Sequence, residues 1–367
     1  MPEQPASGGL ARATVPARGK LTISIVAGNK RKDCTCRKPA SGKRTPMSLE
    51  SIFEDASVAY RKLQDEISAA VEQLERGPCF IWNDSATVPE AQSFQEDSWS
   101  GEREGSMQLR GGGRTRVLEA GRVFERAGVN FSDVSGTFSE ELARSMPGES
   151  REFRACGISL VLHPRNPYVP TVHANFRVIR RGPSNSIERM WFGGGADLTP
   201  YFLNEEDARH FHRQFQEACR AHPEVADYAV MKAECDRYFY LAHRGEARGI
   251  GGIFYDYRDE QHAALLRFSQ SAGAAFLKAY QPIVEKRREL PYGPPEREFQ
   301  LWRRGRYVEF NLIYDRGTLF GLRTGGRIES ILMSLPPMVA WRYDRQARPG
   351  SPEEELLGVL RKPVDWV

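Results

Sequence analysis

Most of the signatures that would place this chain in a large function class are missing from it. No run of 18 apolar residues occurs, so no membrane-crossing helix is expected. No apolar segment near the N-terminus has the form of a secretory signal. The six cysteines are scattered, and only Cys34 and Cys36 are close; no C-x-x-C pair and no iron–sulfur spacing exists. Free thiols in a reducing compartment are the reading that fits. There is no phosphate-binding G-x-x-x-x-G-K-[ST] and no G-x-G-x-x-G opening a helix. No H-E-x-x-H or zinc-finger spacing appears among the histidines. No internal repeat is visible either.

Charge of one sign is also scarce outside a single region. Residues 1–46 hold ten Lys/Arg against Glu3 and Asp33, a net of +8. The whole chain is +4, so the remainder carries 4 − 8 = −4. The basic excess is a property of the tail, and no nucleic-acid partner is expected for the rest. Residues 1–46 are rich in Gly, Pro, Ser, Lys and Arg and read as a disordered basic extension. An organelle transit peptide or a basic binding arm are the alternatives for it. Residues 47–367 read as one domain.

From Ser48 the pattern is helical: Ile52, Phe53, Ala56, Tyr60, Leu63 and Ile67 recur three and four apart, until Gly77–Pro78. A Gly/Ser/Asp-rich loop is expected through residue 113, then short strands and turns. Residues 152–162, 170–180 and 187–193 read as strands by β-branched content and alternation. After Pro200 the pattern predicts helices over 205–222, 224–243 and 259–289, the last broken at Pro282. Between the second and third lies a strand at 249–257. Toward the C-terminus a short helix is expected at 296–304. Strands are expected at 306–315 and 339–344, with a glycine-rich turn at 317–327. Strands in hairpins and helices in pairs, without regular βαβ alternation, predict an α+β fold with a large, mainly antiparallel sheet flanked by helices on both faces.

The stretch 156–200 concentrates the chemistry. Ser159, Val161 and His163 share one face of their strand, and His173, Asn175 and Arg177 share one face of the next, because side chains alternate with period two. A Pro-rich connection joins the two strands. A solvated sheet face would carry the same residues harmlessly. The run WFGGGADLTP then puts Asp197 after three glycines, where a ligand can approach the main chain. An Asx turn or helix cap is the ordinary use of such an acid. Arg244, Arg248, Arg323 and Arg327 sit beside glycine-rich turns, which suits bidentate capture of carboxylates. Each could equally pair with a neighbouring acid.

These motifs have a family likeness. HPRNPYVPTVHANFR (163–177), WFGGGADLTP (191–200), YFYLAHRGEARGIGG (238–252), RRGRYVEFNLIYDRGTLFGL (303–322) and TGGRIESILMSLPP (324–337) closely resemble the oxygen-dependent coproporphyrinogen III oxidases of haem biosynthesis. The likeness runs from about Leu49 to Val367 and includes EDSW (96–99) and the terminal DWV. It implies a homodimer paired through residues 307–342 and an enzyme with no organic cofactor. Molecular oxygen would be the co-substrate for conversion of two propionates of coproporphyrinogen III to vinyl groups. By motif position it implies His173 as proton donor and Asp197 as the acid that holds the pyrrole N–H groups. It further implies Ser159, Asn175, Phe176, Arg177, Arg248, Gly325, Gly326 and Arg327 as substrate contacts. His163, His173, His212 and His243 match histidines assigned as divalent-metal ligands in some bacterial members. The chain departs from the pattern where Asp236–Arg237 and Asp256–Tyr257 stand in place of acidic pairs. Its details suit a bacterial type, so a cytoplasmic enzyme is expected, with organelle targeting as the alternative. The rival functions are a non-catalytic tetrapyrrole carrier and a His-ligated metal oxygenase. The radical-type enzyme for the same substrate is excluded by the missing C-x-x-x-C-x-x-C.

Overall fold

The computed structural model describes residues 47–82, 89–101, 109–323 and 326–367. The expected basic extension, residues 1–46, lies outside them. Helix α1 (Leu49–Arg76) begins where Ser48 accepts from the Ser51 N–H, and ends at Gly77. Six strands follow: β1 (Gln95–Ser100), β2 (Leu109–Glu119), β3 (Phe124–Thr137), β4 (Glu152–Pro164), β5 (Thr171–Arg181) and β6 (Arg189–Thr199). A short helix, α2 (Glu140–Arg144), sits between β3 and β4. Then come α3 (Glu205–Arg220), α4 (Tyr228–Tyr238), the small hairpin β7 (Tyr240–Leu241) and β8 (Glu246–Ala247), β9 (Gly252–Arg258) and α5 (His262–Arg287). Helices α6 (Pro294–Ile313), α7 (Arg316–Arg323), α8 (Ile328–Leu332) and α9 (Pro352–Arg361) complete the chain. The large sheet runs β1-β2-β3-β4-β5-β6-β9, antiparallel throughout, as the hairpin reading of the sequence predicted.

Alternation divides this sheet into two faces. Ile158, Leu160, Ala174, Phe176, Val178 and Leu198 are fully buried on one face, packed with Phe53, Phe211, Phe215 and Phe276 from α1, α3 and α5 in a single apolar core. The opposite face is approached by α6 and α8. There Met333 fills the space over Gly128 so closely that a Cβ would lie 1.6 Å from its sulfur. Asn130 of β3 donates to the Ser330 carbonyl (2.7 Å), and Thr115 and Ser330 share a 2.7 Å hydroxyl bond. Glu75 ties the end of α1 to the β2–β3 turn: its buried carboxylate accepts from the backbone N–H groups of Arg122, Val123 and Phe124. Burial pushes its pKa up despite these bonds.

Several expectations need correction. Residues 306–313 belong to helix α6, capped by Tyr314, and 306–315 form no strand. Val308, Phe310, Leu312 and Tyr314 do alternate, but Arg303, Arg306, Tyr307 and Phe310 also recur at helical spacing; all four of these are buried, whereas Leu312 is exposed. The predicted turn at 317–327 contains α7, and 339–344 forms no strand. The loop expected through residue 113 holds β1 and the start of β2, with Gly111–Gly113 inside the ladder. Helix α5 runs unbroken through Pro282. The carbonyl of Lys278, which Pro282 cannot bond, instead accepts from His210 Nε2 at 2.9 Å.

Candidate active site

The register carries the polar residues of 156–200 onto the face away from the core. Ser159 lies opposite Asn175, Val161 opposite His173, and His173 opposite Asp197 across β4, β5 and β6. Gly157 opposes Arg177, and Arg177 opposes Gly193. The middle of this face is therefore a shelf of small residues with polar groups at its margin. Gly193 has a specific reason to lack a side chain. A Cβ there would sit 2.6 Å from the Asp256 carboxylate and 2.9 Å from the Arg177 guanidinium.

At one end stands a buried chain of charges. His173 Nδ1 is 2.8 Å from Asp197 Oδ1. Arg248 Nη2 donates to both Asp197 oxygens at 2.8 Å. Asp197 is 1% exposed and Arg248 3%. Burial alone would raise the Asp197 pKa, but the Arg248 charge and the His173 bond outweigh it and hold the carboxyl below its usual range. A carboxylate only accepts, so His173 donates through Nδ1, leaving Nε2 as the nitrogen available to a ligand. The Arg248 guanidinium carbon lies 4.2 Å from the ring centroid of Phe239, 4.4 Å from Tyr307 and 4.8 Å from Phe310. An aromatic cage of this kind offsets part of the cost of burying the cation. The Arg248 loop is pinned as well. Ile250 N donates to the Leu198 carbonyl (2.9 Å), and His212 Nε2 donates to the Ile250 carbonyl (3.1 Å).

A second charged group lines the shelf. Arg177 donates to Asn175 Oδ1 (2.7 Å) and pairs with Asp256 (2.8 Å), which also meets Arg316 at 3.3 Å. Arg316 lies over the rings of Tyr238 and Phe254 and is half exposed. Asp315 accepts from Tyr238 OH and from the Thr318 N–H and hydroxyl, each at 2.8 Å. Burial opposes its ionisation, and these bonds reverse that and lower its pKa. Tyr307, Asn311, Asp315 and Arg316 were not singled out from the sequence, and Asp256 was noted only as a departure from the family pattern. The first four follow from placing 306–313 on a helix and 316 at the start of the next.

Not every sequence-predicted residue joins this group. The side chain of Phe176 points to the opposite face and is fully buried in the core. Arg327 pairs with Asp97 of β1, five strands from β6, or roughly 24 Å at about 4.8 Å per strand. Gly326 donates to the Gly321 carbonyl at 2.8 Å. Gly325 lies outside the described residues, as does the side chain of Arg323. Arg244 is held by Glu309 through two bonds of 2.8 and 2.6 Å. At the two departures from the family pattern, Asp236 pairs with Lys232 and Asp256 with the two arginines.

The four histidines expected as metal ligands do not converge. Among the described residues no group of three or more His, Cys, Asp or Glu is arranged to hold a metal ion. His163 Nε2 donates to the Ser334 carbonyl (2.8 Å), while Nδ1 meets Thr171. His212 is bonded to Tyr228 OH and the Ile250 carbonyl, and His243 to Tyr314 OH and Glu309. Burial, with Arg304 beside His163 and Lys232 beside His212, lowers both of those pKa values to about 3. Their ring nitrogens serve the fold, and this donor set does not fit one shared metal.

Comparison with known proteins places this geometry. The sequence profile of the family described as coproporphyrinogen III oxidase matches residues 56–366. The chain belongs to that family. An oxygen-dependent coproporphyrinogen-III oxidase of Synechococcus sp. (strain CC9605) is 47% identical over 346 residues, covering 86% of this chain and 87% of the relative. The enzyme of the same description from Parasynechococcus marenigrum (strain WH8102) is 47% identical over 367 residues, covering 90% of this chain and 93% of the relative. The coproporphyrinogen oxidase match spans the whole sheet from β1 to β9 and helices α6 to α8, and so the entire shelf.

Proposed function

We propose that this protein is an oxygen-dependent coproporphyrinogen III oxidase of haem biosynthesis, converting two propionates of its substrate to vinyl groups to give protoporphyrinogen IX. The family match carries the reading, and the glycine shelf with His173 at its margin supports it. Each propionate loses carbon dioxide, one β-hydrogen as a proton, and two electrons. Molecular oxygen takes the two electrons and two protons and leaves as hydrogen peroxide. The sum consumes one proton per propionate. Its delivery is assigned to His173 through Nε2, supported by the anchoring of Nδ1 on Asp197.

Asp197 is assigned to holding and orienting His173 rather than to the pyrrole N–H groups. What supports this is its burial, with both oxygens already taken by Arg248. Arg248 is assigned to Asp197 for the same reason. Substrate carboxylates are assigned to Arg177 and Arg316, whose shared Asp256 keeps them aimed at the shelf. Ser159 and Asn175 face the macrocycle from its floor. Arg327, paired with Asp97, is assigned to a substrate carboxylate at the far edge. No organic cofactor enters this scheme. A homodimer through 307–342 belongs to the same reading, supported by the exposed Leu312, Ile313, Leu322, Ile328, Met338 and Trp341 within that span. A cytoplasmic location is supported by the bacterial relatives, and no described helix is long and apolar enough to cross a membrane. Incubation of the protein with coproporphyrinogen III, with and without oxygen, is the test. Porphyrin fluorescence after oxidation should show protoporphyrin only in the aerated sample. Equal product without oxygen, or none with it, would sink the reading.

A further inference from the structure

The guanidinium of Arg248 is unusually placed for an arginine that holds a carboxylate. Two parallel bonds, one from each of two nitrogens, are the arrangement that fixes both partners. Here one nitrogen, Nη2, reaches both Asp197 oxygens, and no second nitrogen shares the work. Nε is buried without a partner among the described residues. The rings of Phe239, Tyr307 and Phe310 hold the cation between them, yet a ring face attracts it without specifying which nitrogen points where. One polar contact remains to set that rotation. Arg248 Nη1 donates to Asn311 Oδ1 at 2.8 Å, and Asn311 is 4% exposed. Asn311 stands on α6, and its amide nitrogen lies 3.5 Å from Ser334 Oγ in the turn after α8.

We infer that Asn311 is a positioning residue for the reaction, acting through Arg248 on Asp197 and so on His173. Asn311 accepts from Nη1 and thereby turns Nη2 onto the carboxylate. Asp197 in turn fixes the His173 ring. Because Asn311 is carried by the helix that walls the shelf, the seating of that helix and the orientation of the histidine are linked. The inference rests on the roles given above to His173 and Asp197. The alternative is an asparagine that only satisfies a buried arginine and has no effect on turnover.

Three variants separate these. Asn311→Leu removes the acceptor, and kcat per folded molecule should fall by about 10- to 100-fold, with KM changed less than about threefold, as expected when ground-state binding is untouched. Asn311→Asp keeps shape and acceptor and adds a charge that competes with Asp197 for Arg248. It should stay folded and yet lose kcat at least tenfold, a loss that its stability does not explain. In an Arg248→Met background, Asn311→Leu should have no further effect on kcat, since its partner is gone. Wild-type kcat in folded Asn311→Asp, or losses that simply multiply in the double variant, would overturn the inference. Should Asn311→Leu fail to fold, the Asn311→Asp result and its KM decide alone. Asp197→Asn with undiminished kcat would instead sink the underlying reading, whatever Asn311 does.

Discussion

The two faces of the large sheet use the same strands for opposite purposes. On the core face the alternate residues of β5 from 172 to 178 are apolar and fully buried: Val172, Ala174, Phe176 and Val178. On the shelf face the residues between them are His173, Asn175 and Arg177, each half-buried and each opposite a polar group or a glycine. The apolar face is redundant: many contacts share the load, and none has a unique partner. The shelf face is serial. His173 depends on Asp197, Asp197 on Arg248, and Arg248 on Asn311. One face therefore tolerates graded change, and the other fails at a single link.

That contrast can be broken experimentally at either face. The largest effect is expected at the serial one. His173→Ala should lower kcat by about 10²- to 10⁴-fold, the range for a lost proton donor, while the melting temperature stays near wild type. A large loss of stability with unchanged kcat would reverse the assignment of faces. Phe176→Ala is the converse case. It should cost about 3–5 kcal/mol in denaturant unfolding, as for a large buried aromatic, with kcat per folded molecule kept. A lower pH probes both faces together through His163 and His212. In the unfolded chain these rings bind a proton near pH 6.5, and in the folded protein only near pH 3. The unfolded state holds more protons between those values, so stability is complete above pH 6.5 and falls as the pH drops toward 3. The steepest loss is about 3 kcal/mol per pH unit for the two rings, at about 1.4 each. Urea midpoints between pH 7 and pH 4 would measure it, and His212→Asn should flatten the slope. The smallest effect is expected at Ser159→Ala, less than about tenfold in kcat/KM, for one neutral hydrogen bond to substrate.

The strands of 152–181 were legible because alternation, β-branched residues and turn signals agreed, whereas the strand expected at 187–193 continues through the glycines to Thr199. Helix α1 was legible as well, since its cap and apolar stripe coincide. Residues 306–315 were not, because Tyr, Val, Phe and Ile favour strands locally and alternation outweighed the helical recurrence that packing selects. That misreading hid half of the site: with the segment drawn as a strand, Asn311 falls on the wrong side of Phe310. The histidines show a different limit. Sequence places His163 and His173 near one end of a hairpin, and they are there. It does not tell which ring nitrogens are already bonded, and for His163 both are. The pairing of Arg248 with Asp197 was equally invisible, since 51 residues separate them and neither shares a motif with the other.

The order of strands in the large sheet also describes how the molecule comes into being. Each strand from β2 to β6 pairs with the one made just before it, and only the excursion through α3, α4 and the small hairpin delays β9. During synthesis α1 emerges first, so the apolar face has part of its cover before the first strand exists. The wall of the shelf, residues 294–335, is translated late. A nascent chain can thus complete its sheet and cover it with α1, α3 and α5 while the polar face stays open to water, where it is harmless; Phe299, Trp302 and the α9 leucines finish the core later. Tyr307 and Asn311 then arrive and shut the arginine in. Ribosome-stalled chains of increasing length should protect the β4–β5 ladder from hydrogen exchange before residue 294 is out. The ability to turn over substrate would be the last property the chain acquires.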